Sequence, residues 1–128
     1  MHALRKETAP RYVRPEGITS YLLASPRTSS AEHLTTTLAV IQPGGEQRIH
    51  NHRPEQVYFI LEGRGQMTVG SETQRVEPGD CVFIPSGQPH GLKNDGDMTL
   101  RYFSAAAPAY DPGHLEKTWG LRSEAETA

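Results

Sequence analysis

This sequence predicts an all-β fold, a sandwich or a barrel of short strands. Three observations carry that expectation. Strand-type runs rich in Val, Ile, Thr, Tyr and Phe recur along the chain, roughly nine or ten of them, each bounded by turn residues. Gly (12) and Pro (10) are abundant for 128 residues, which suits many tight connections. No segment before residue 110 shows a convincing 3.6-residue apolar period.

The elements follow in order. Residues 1–16 are charged and carry Pro10 and Pro15, so they read as an arm that needs a surface to pack on. Residues 17–23 form a first strand, and 24–32 a Ser/Thr/Pro loop. Residues 33–42, with three consecutive Thr and then β-branched residues, form the next. Pro43-Gly44-Gly45 turns the chain into a strand over 48–52, which Pro54 ends. Residues 56–61 are the most apolar strand signal. Gly63 and Gly65 mark a hairpin into 66–69, and Gly70-Ser71 a turn into 72–76, where alternation is weak. In Glu77-Pro78-Gly79-Asp80 the proline presets φ and the glycine supplies a positive φ. Residues 81–84 read as a short buried strand, with Cys81 a small buried residue beside the turn. A loop over 85–89 leads to a strand starting at His90, and the last strand covers 98–103. Composition changes at Ser104, a short helix fits 114–122, and the last six residues read as disordered. The expected organisation is an arm (1–16), a barrel (17–109) and a tail (110–128).

Composition excludes several functions. The length suits one domain. A net charge of −2 without a Lys/Arg run argues against a nucleic-acid partner. The only cysteine, Cys81, removes an intrachain disulfide and a Cys-based zinc site. No leader-type or membrane-length apolar run occurs, so no membrane partner and a cytoplasmic location are expected.

The chemistry concentrates in two stretches. His50 and His52 stand two apart on a predicted strand, which puts both imidazoles on one face, able to grip one metal ion. His90 is the third candidate, after two turn signals. His2, His33 and His114 lie outside any ligand spacing.

The spacing of these residues resembles the cupin superfamily. Gly44 is followed by five residues, His50-x-His52, three residues, position 56, six residues and Gly63. Gly79, Pro85, Gly87, His90 and Asn94 fill every place of the second cupin motif. The resemblance covers about residues 34–104 and implies a double-stranded β-helix, the jelly-roll cupin barrel, with a metal between the motifs. One position departs from it: most cupins carry Glu at position 56, where this chain has Gln56. Parity and the spacing to Gly63 favour Gln56 over the adjacent Glu55, so the expected metal ligands are His50, His52, Gln56 and His90. The set resembles that of cupins that open cyclic unsaturated uronates and of isomerases of antibiotic biosynthesis.

Imidazoles and an amide oxygen do not select the metal, so one divalent ion of Ni, Zn, Mn, Fe or Co is expected. Gln in place of Glu leaves a divalent site at +2 rather than +1, which favours Lewis-acid chemistry over oxygen activation. The expected function is a metal-dependent enzyme with isomerase or lyase chemistry on a small anionic, oxygen-rich substrate, a sugar acid or keto acid. The alternatives are an Fe(II) dioxygenase and a non-catalytic small-ligand-binding module. Tyr58 continues the inward parity and reads as a general acid or hydrogen-bond donor, with core packing the alternative. Arg48 and either Arg101 or Tyr102 are candidate substrate-binding residues. Gln47 and Asn51 read as structural. Tyr110 and Trp119 read as tail packing on the outer wall or on a second subunit, a lid being the alternative. The family resemblance implies a homodimer, to which the arm would add a strand.

Overall fold

The computed structural model describes residues 1–111 and Leu115. The described residues form ten strands: β1 (Arg11–Arg14), β2 (Ile18–Leu22), β3 (Thr35–Ile41), β4 (Glu46–His50), β5 (Glu55–Glu62), β6 (Gly65–Val69), β7 (Glu72–Val76), β8 (Cys81–Ile84), β9 (His90–Lys93) and β10 (Leu100–Ala107). They make two antiparallel sheets, ordered β1-β2-β3-β10-β5-β8 and β4-β9-β6-β7. The fold is a jelly roll, as the motifs implied. Among the described residues no helix is long and apolar enough to cross a membrane. The helix expected over 114–122, Trp119 and the C-terminal residues lie outside the described residues.

One core joins the two sheets. Ile18, Ile41, Ile60, Ile84 and Leu100 come from the six-stranded sheet, and Met67, Val76 and Leu92 from the other. β5 shows how this core is coded: Gln56, Tyr58 and Ile60 are buried while Glu55, Phe59 and Leu61 are exposed. That alternation follows from the two-residue period of a strand. β7 lacks it: four of its five residues are exposed, and it exists because β6 pairs with it residue for residue from Gly65↔Val76 to Val69↔Glu72.

Three expectations are corrected. Cys81 is exposed, and so is Phe83, whereas Val82 packs against the core and Ile84 is buried. β8 is an edge strand with one face inward, and parity sends Cys81 outward, opposite Phe59. The last strand does not stop at 103 but runs to Ala107. There Ser104 and Ala106 face inward between β3 and β5, so small side chains fill a narrow place. The second half of the arm is strand β1, which pairs with β2 of its own chain from Arg11↔Tyr21 to Arg14↔Ile18.

The motif residues that carry no chemistry hold the loops. Gly63 has φ +79°, and a Cβ there would lie 2.5 Å from the Thr99 carbonyl oxygen, so any side chain would strain the turn. Asn94 is buried; its Nδ2 donates to the carbonyls of Ile41 (3.0 Å) and Met98 (2.8 Å), and its Oδ1 accepts from Gly96 N (3.1 Å). Gly87 N donates to the His52 carbonyl (2.9 Å), and Ser86 Oγ donates to the Arg53 carbonyl. These two bonds tie the second motif onto the first.

Candidate metal centre

Three histidines converge at one end of the barrel. His50 ends β4 and stands directly opposite His90, the first residue of β9. His52 lies past the end of β4, in the loop before β5, so strand parity alone does not place it; the Gly87 bond to its carbonyl helps to do so. The ring centroids are 4.3 Å apart for His50 and His90, 4.9 Å for His52 and His90, and 5.4 Å for His50 and His52. One nitrogen from each ring falls within 4.8 Å of the others, so His50, His52 and His90 can hold one metal ion.

The backbone orients all three rings the same way. Each Nδ1 is 2.9 Å from a carbonyl oxygen, of Arg48 for His50, of Pro54 for His52 and of Gln88 for His90. A carbonyl only accepts, so each of these contacts calls for the proton on Nδ1, which puts the lone pair of a neutral ring on Nε2; the Gln47 amide also lies 3.2 Å from His50 Nδ1. His90 Nε2 is buried without a partner. Burial, with a smaller contribution from His50 and His52, lowers the His90 pKa to about 4, so it stays neutral at pH 7.

Gln56 lies beside the three histidines. It is buried, and its Nε2 donates to Ser104 Oγ (3.1 Å) and Tyr110 OH (3.0 Å). That leaves Oε1 facing His52 Nε2 at 2.9 Å. With the His52 proton on Nδ1, both facing atoms are acceptors, and two acceptors at that distance repel. A cation bound to both removes the repulsion. Ligands at right angles on a metal with bonds of about 2.0–2.2 Å would stand about 3 Å apart, close to the spacing here. The donors therefore fit a divalent ion, and the orphaned His90 Nε2 is the independent sign of the same fit. Ser104 Oγ is in turn 2.6 Å from Thr37 Oγ1, which anchors the amide to β3.

His50, His52 and Gln56 line a cavity of about 360 Å³ together with Tyr12, Arg14, Glu16, Arg48, Tyr58 and Tyr102. Tyr58 is buried on its floor, stacked on Tyr102 with ring centroids 4.2 Å apart and edge-on to His90 at 5.8 Å. Burial and the bond to Tyr102 hold the Tyr58 pKa well above the usual phenol value, and burial raises Tyr102 to about 12. Both phenols therefore keep their protons at neutral pH.

The expected substrate-binding residues divide. Arg48 stands at the rim, its Nε 3.4 Å from Glu16 Oε1. Tyr102 faces the cavity. Arg101 does not line it; parity with the inward Tyr102 turns it out, where its Nε lies 3.1 Å from Glu62 on β5. Gln47 and Asn51, read as structural, also reach the cavity wall. Sequence reading passed over Arg14 and Glu16. The signal was the alternation Tyr12-x-Arg14-x-Glu16, a polar face of period two hidden in the charged arm. Tyr110 lies against the site rather than the outer wall: its backbone N–H donates to Thr35 Oγ1 (2.9 Å), and its ring lies edge-on to His52 at 5.4 Å.

The cupin domain family matches residues 37–106, more than half of the chain and both histidine motifs. The chain belongs to the cupin family. An uncharacterised protein of Methanocaldococcus jannaschii, MJ1618, is 31% identical over 100 residues, covering 77% of this chain and 80% of that one. The dimethylsulfoniopropionate lyase DddQ of Ruegeria pomeroyi is 34% identical over 65 residues, half of this cupin and 32% of the lyase. The 5-nitrosalicylic acid 1,2-dioxygenase of a Bradyrhizobium species is 36% identical over 64 residues, 49% of this cupin and 31% of the dioxygenase. This cupin thus spans about a third of each of those two enzymes. Among solved structures, an RmlC-like cupin from Shewanella frigidimarina superposes with a TM-score of 0.74 at 21% identity, over 87% of this chain and 94% of that one. The superposition shows a shared fold, while the chemistries named for the two enzymes differ.

Proposed function

We propose that this cupin is a metal-dependent enzyme that binds one divalent transition metal through His50, His52, His90 and Gln56. Its substrate would be a small, anionic, oxygen-rich molecule, a sugar acid or keto acid, and its reaction of isomerase or lyase type. The observation that carries the reading is the facing pair of acceptors, His52 Nε2 and Gln56 Oε1 at 2.9 Å, beside the orphaned His90 Nε2. When bound, the ion would supply Lewis-acid polarisation of a substrate carbonyl or carboxylate. Gln56 contributes no charge, so the site keeps its full positive charge toward an anionic ligand. Ser104 and Tyr110 anchor the far end of the Gln56 amide, so that its other end is held beside His52. Tyr58 serves as a hydrogen-bond donor at the floor, and its high pKa keeps the proton in place.

Metal analysis tests the assignment. Wild-type protein prepared without chelator is expected to hold about one transition metal per chain, and His50→Ala to hold almost none. Gln56→Glu is expected to retain metal more tightly while losing turnover, because a carboxylate lowers the site's positive charge. A protein that stays metal-free after loading would defeat the proposal. The dioxygenase relative supports a second reading, with iron; iron in the purified protein together with oxygen uptake would favour it.

A further inference from the structure

Among the described residues, three buried side-chain polar atoms lack a partner: Arg14 Nε, Glu16 Oε2 and His90 Nε2. They belong to one site, since Arg14 and Glu16 line the cavity that holds His50 and His52, and the His90 ring lies 4.3 Å from that of His50. Unpartnered buried polar atoms are rare in native proteins, and three at one place mark a ligand's position.

We propose that Arg14 and Glu16 form the specificity wall of this cavity and select a small acid that carries both a carboxylate and hydroxyl groups. The proposal rests on the reading of a metal-dependent enzyme for small anionic substrates, and it names the substrate class. Both residues precede the segment that matches the cupin family, so this wall is supplied by the chain's own N-terminal strand and turn.

The geometry of Arg14 is that of a preset anion ligand. Its Nη2 donates to Ser20 Oγ at 2.7 Å, and its Cζ lies 5.0 Å from the centre of the Tyr12 ring. Those two contacts restrain the guanidinium and leave Nε as a donor without an acceptor. Burial raises the pKa values of Tyr58, Tyr102 and Tyr110, and the Arg14 guanidinium opposes that rise in all three, so its charge is felt across the cavity floor. A carboxylate matches such a donor in charge and in planar shape.

Glu16 poses the opposite demand. Its Oε1 lies 3.4 Å from Arg48 Nε, and its Oε2 is a buried acceptor with nothing to accept. An ionised carboxylate has no proton to give, so Oε2 requires a donor, which a hydroxyl supplies. A plain keto acid would satisfy Arg14 and leave Glu16 unmet. A neutral sugar would satisfy Glu16 and leave Arg14 unmet. A polyhydroxylated acid meets both.

Calorimetric titration with galacturonate, galactose and pyruvate tests this on metal-loaded protein, with the metal content of every variant measured alongside. Galacturonate is expected to bind at least about tenfold more tightly than either of the others. Arg14→Gln is expected to weaken galacturonate and pyruvate by about 10- to 100-fold, a range set by one charged hydrogen bond, and to leave galactose unchanged. Arg14→Lys is expected to recover part of the loss and serves as the control for folding. Glu16→Gln is expected to weaken galacturonate and galactose but not pyruvate. Undiminished metal content in these variants separates the wall from the metal centre. Equal affinity for galacturonate and galactose, or no loss in both Arg14 variants, would overturn the proposal, as would the absence of binding by all three probes. Should the protein prove metal-free, the metal-dependent reading falls, while the same titrations on metal-free protein still decide the wall.

Discussion

At the scale of single residues, the chemistry turns on which nitrogen of each imidazole holds the proton. Backbone carbonyls at 2.9 Å from Nδ1 bear on this for His50, His52 and His90, and all three contacts come from main chain rather than from side chains. A pH prediction follows for the metal-free protein. The His90 pKa is about 4 in the folded chain and about 6.5 in the unfolded one, so below pH 6.5 the unfolded state takes up the proton first. Stability contributed by neutral His90 is therefore complete above pH 6.5 and is lost as pH falls toward 4. The full loss is about 3 kcal/mol. Urea unfolding of metal-free protein between pH 7.5 and 4 should show it, and His90→Gln should flatten that part of the profile. A profile unchanged by the substitution would refute the assignment.

At the scale of elements, β5 does two tasks with one alternation. Its inward residues run Gln56, Tyr58, Ile60: a site residue, the cavity floor and the core, in that order along the strand. Parity therefore decides both packing and chemistry, and it was legible in the sequence because Gln56 and Glu55 cannot face the same way. Substitution on the two faces should separate cleanly. Ile60→Ala, at a fully buried position, should cost about 2–5 kcal/mol in chemical denaturation, whereas exposed Leu61→Ala should cost under about 1 kcal/mol. Equal losses would mean that the strand does not sit in this register. The loop between β8 and β9 was less legible. Its two ties to residues 52 and 53 bring His90 to His50, and no local pattern announces contacts between loops 33 residues apart.

At the scale of the whole molecule, the six-stranded sheet keeps an apolar outer face. Across it the register runs Tyr21↔Leu38↔Phe103↔Phe59↔Cys81, and Phe59, Leu61 and Phe83 remain exposed. An exposed apolar row of this kind commonly marks an association surface. We propose that the expected homodimer forms on this face; β1 pairs with β2 of its own chain on one side and is the edge strand of the sheet on the other. Light scattering at micromolar concentration should give a dimer, and Phe59→Lys with Phe83→Lys should shift it to monomer without loss of metal. A wild-type monomer would refute this arrangement.

The sequence by itself determined the strand period, the all-β class, the two motifs and the preference for Gln56 over Glu55, and the jelly-roll class followed from the cupin resemblance that those motifs carry. Those properties are local: side-chain alternation, turn chemistry and fixed spacing survive in a linear reading. Only the tertiary structure decided the rest. Arg14, Glu16 and Tyr110 come from outside the motifs and meet the histidines because β1 joins the sheet edge and the chain after β10 returns over Gln56. Arg101 left the site and Cys81 left the core for a related reason, since each side chain's facing depends on which neighbouring strand its backbone pairs with. Pairing between strands distant in sequence is set by the closure of the whole sheet, and no stretch of the chain encodes that alone.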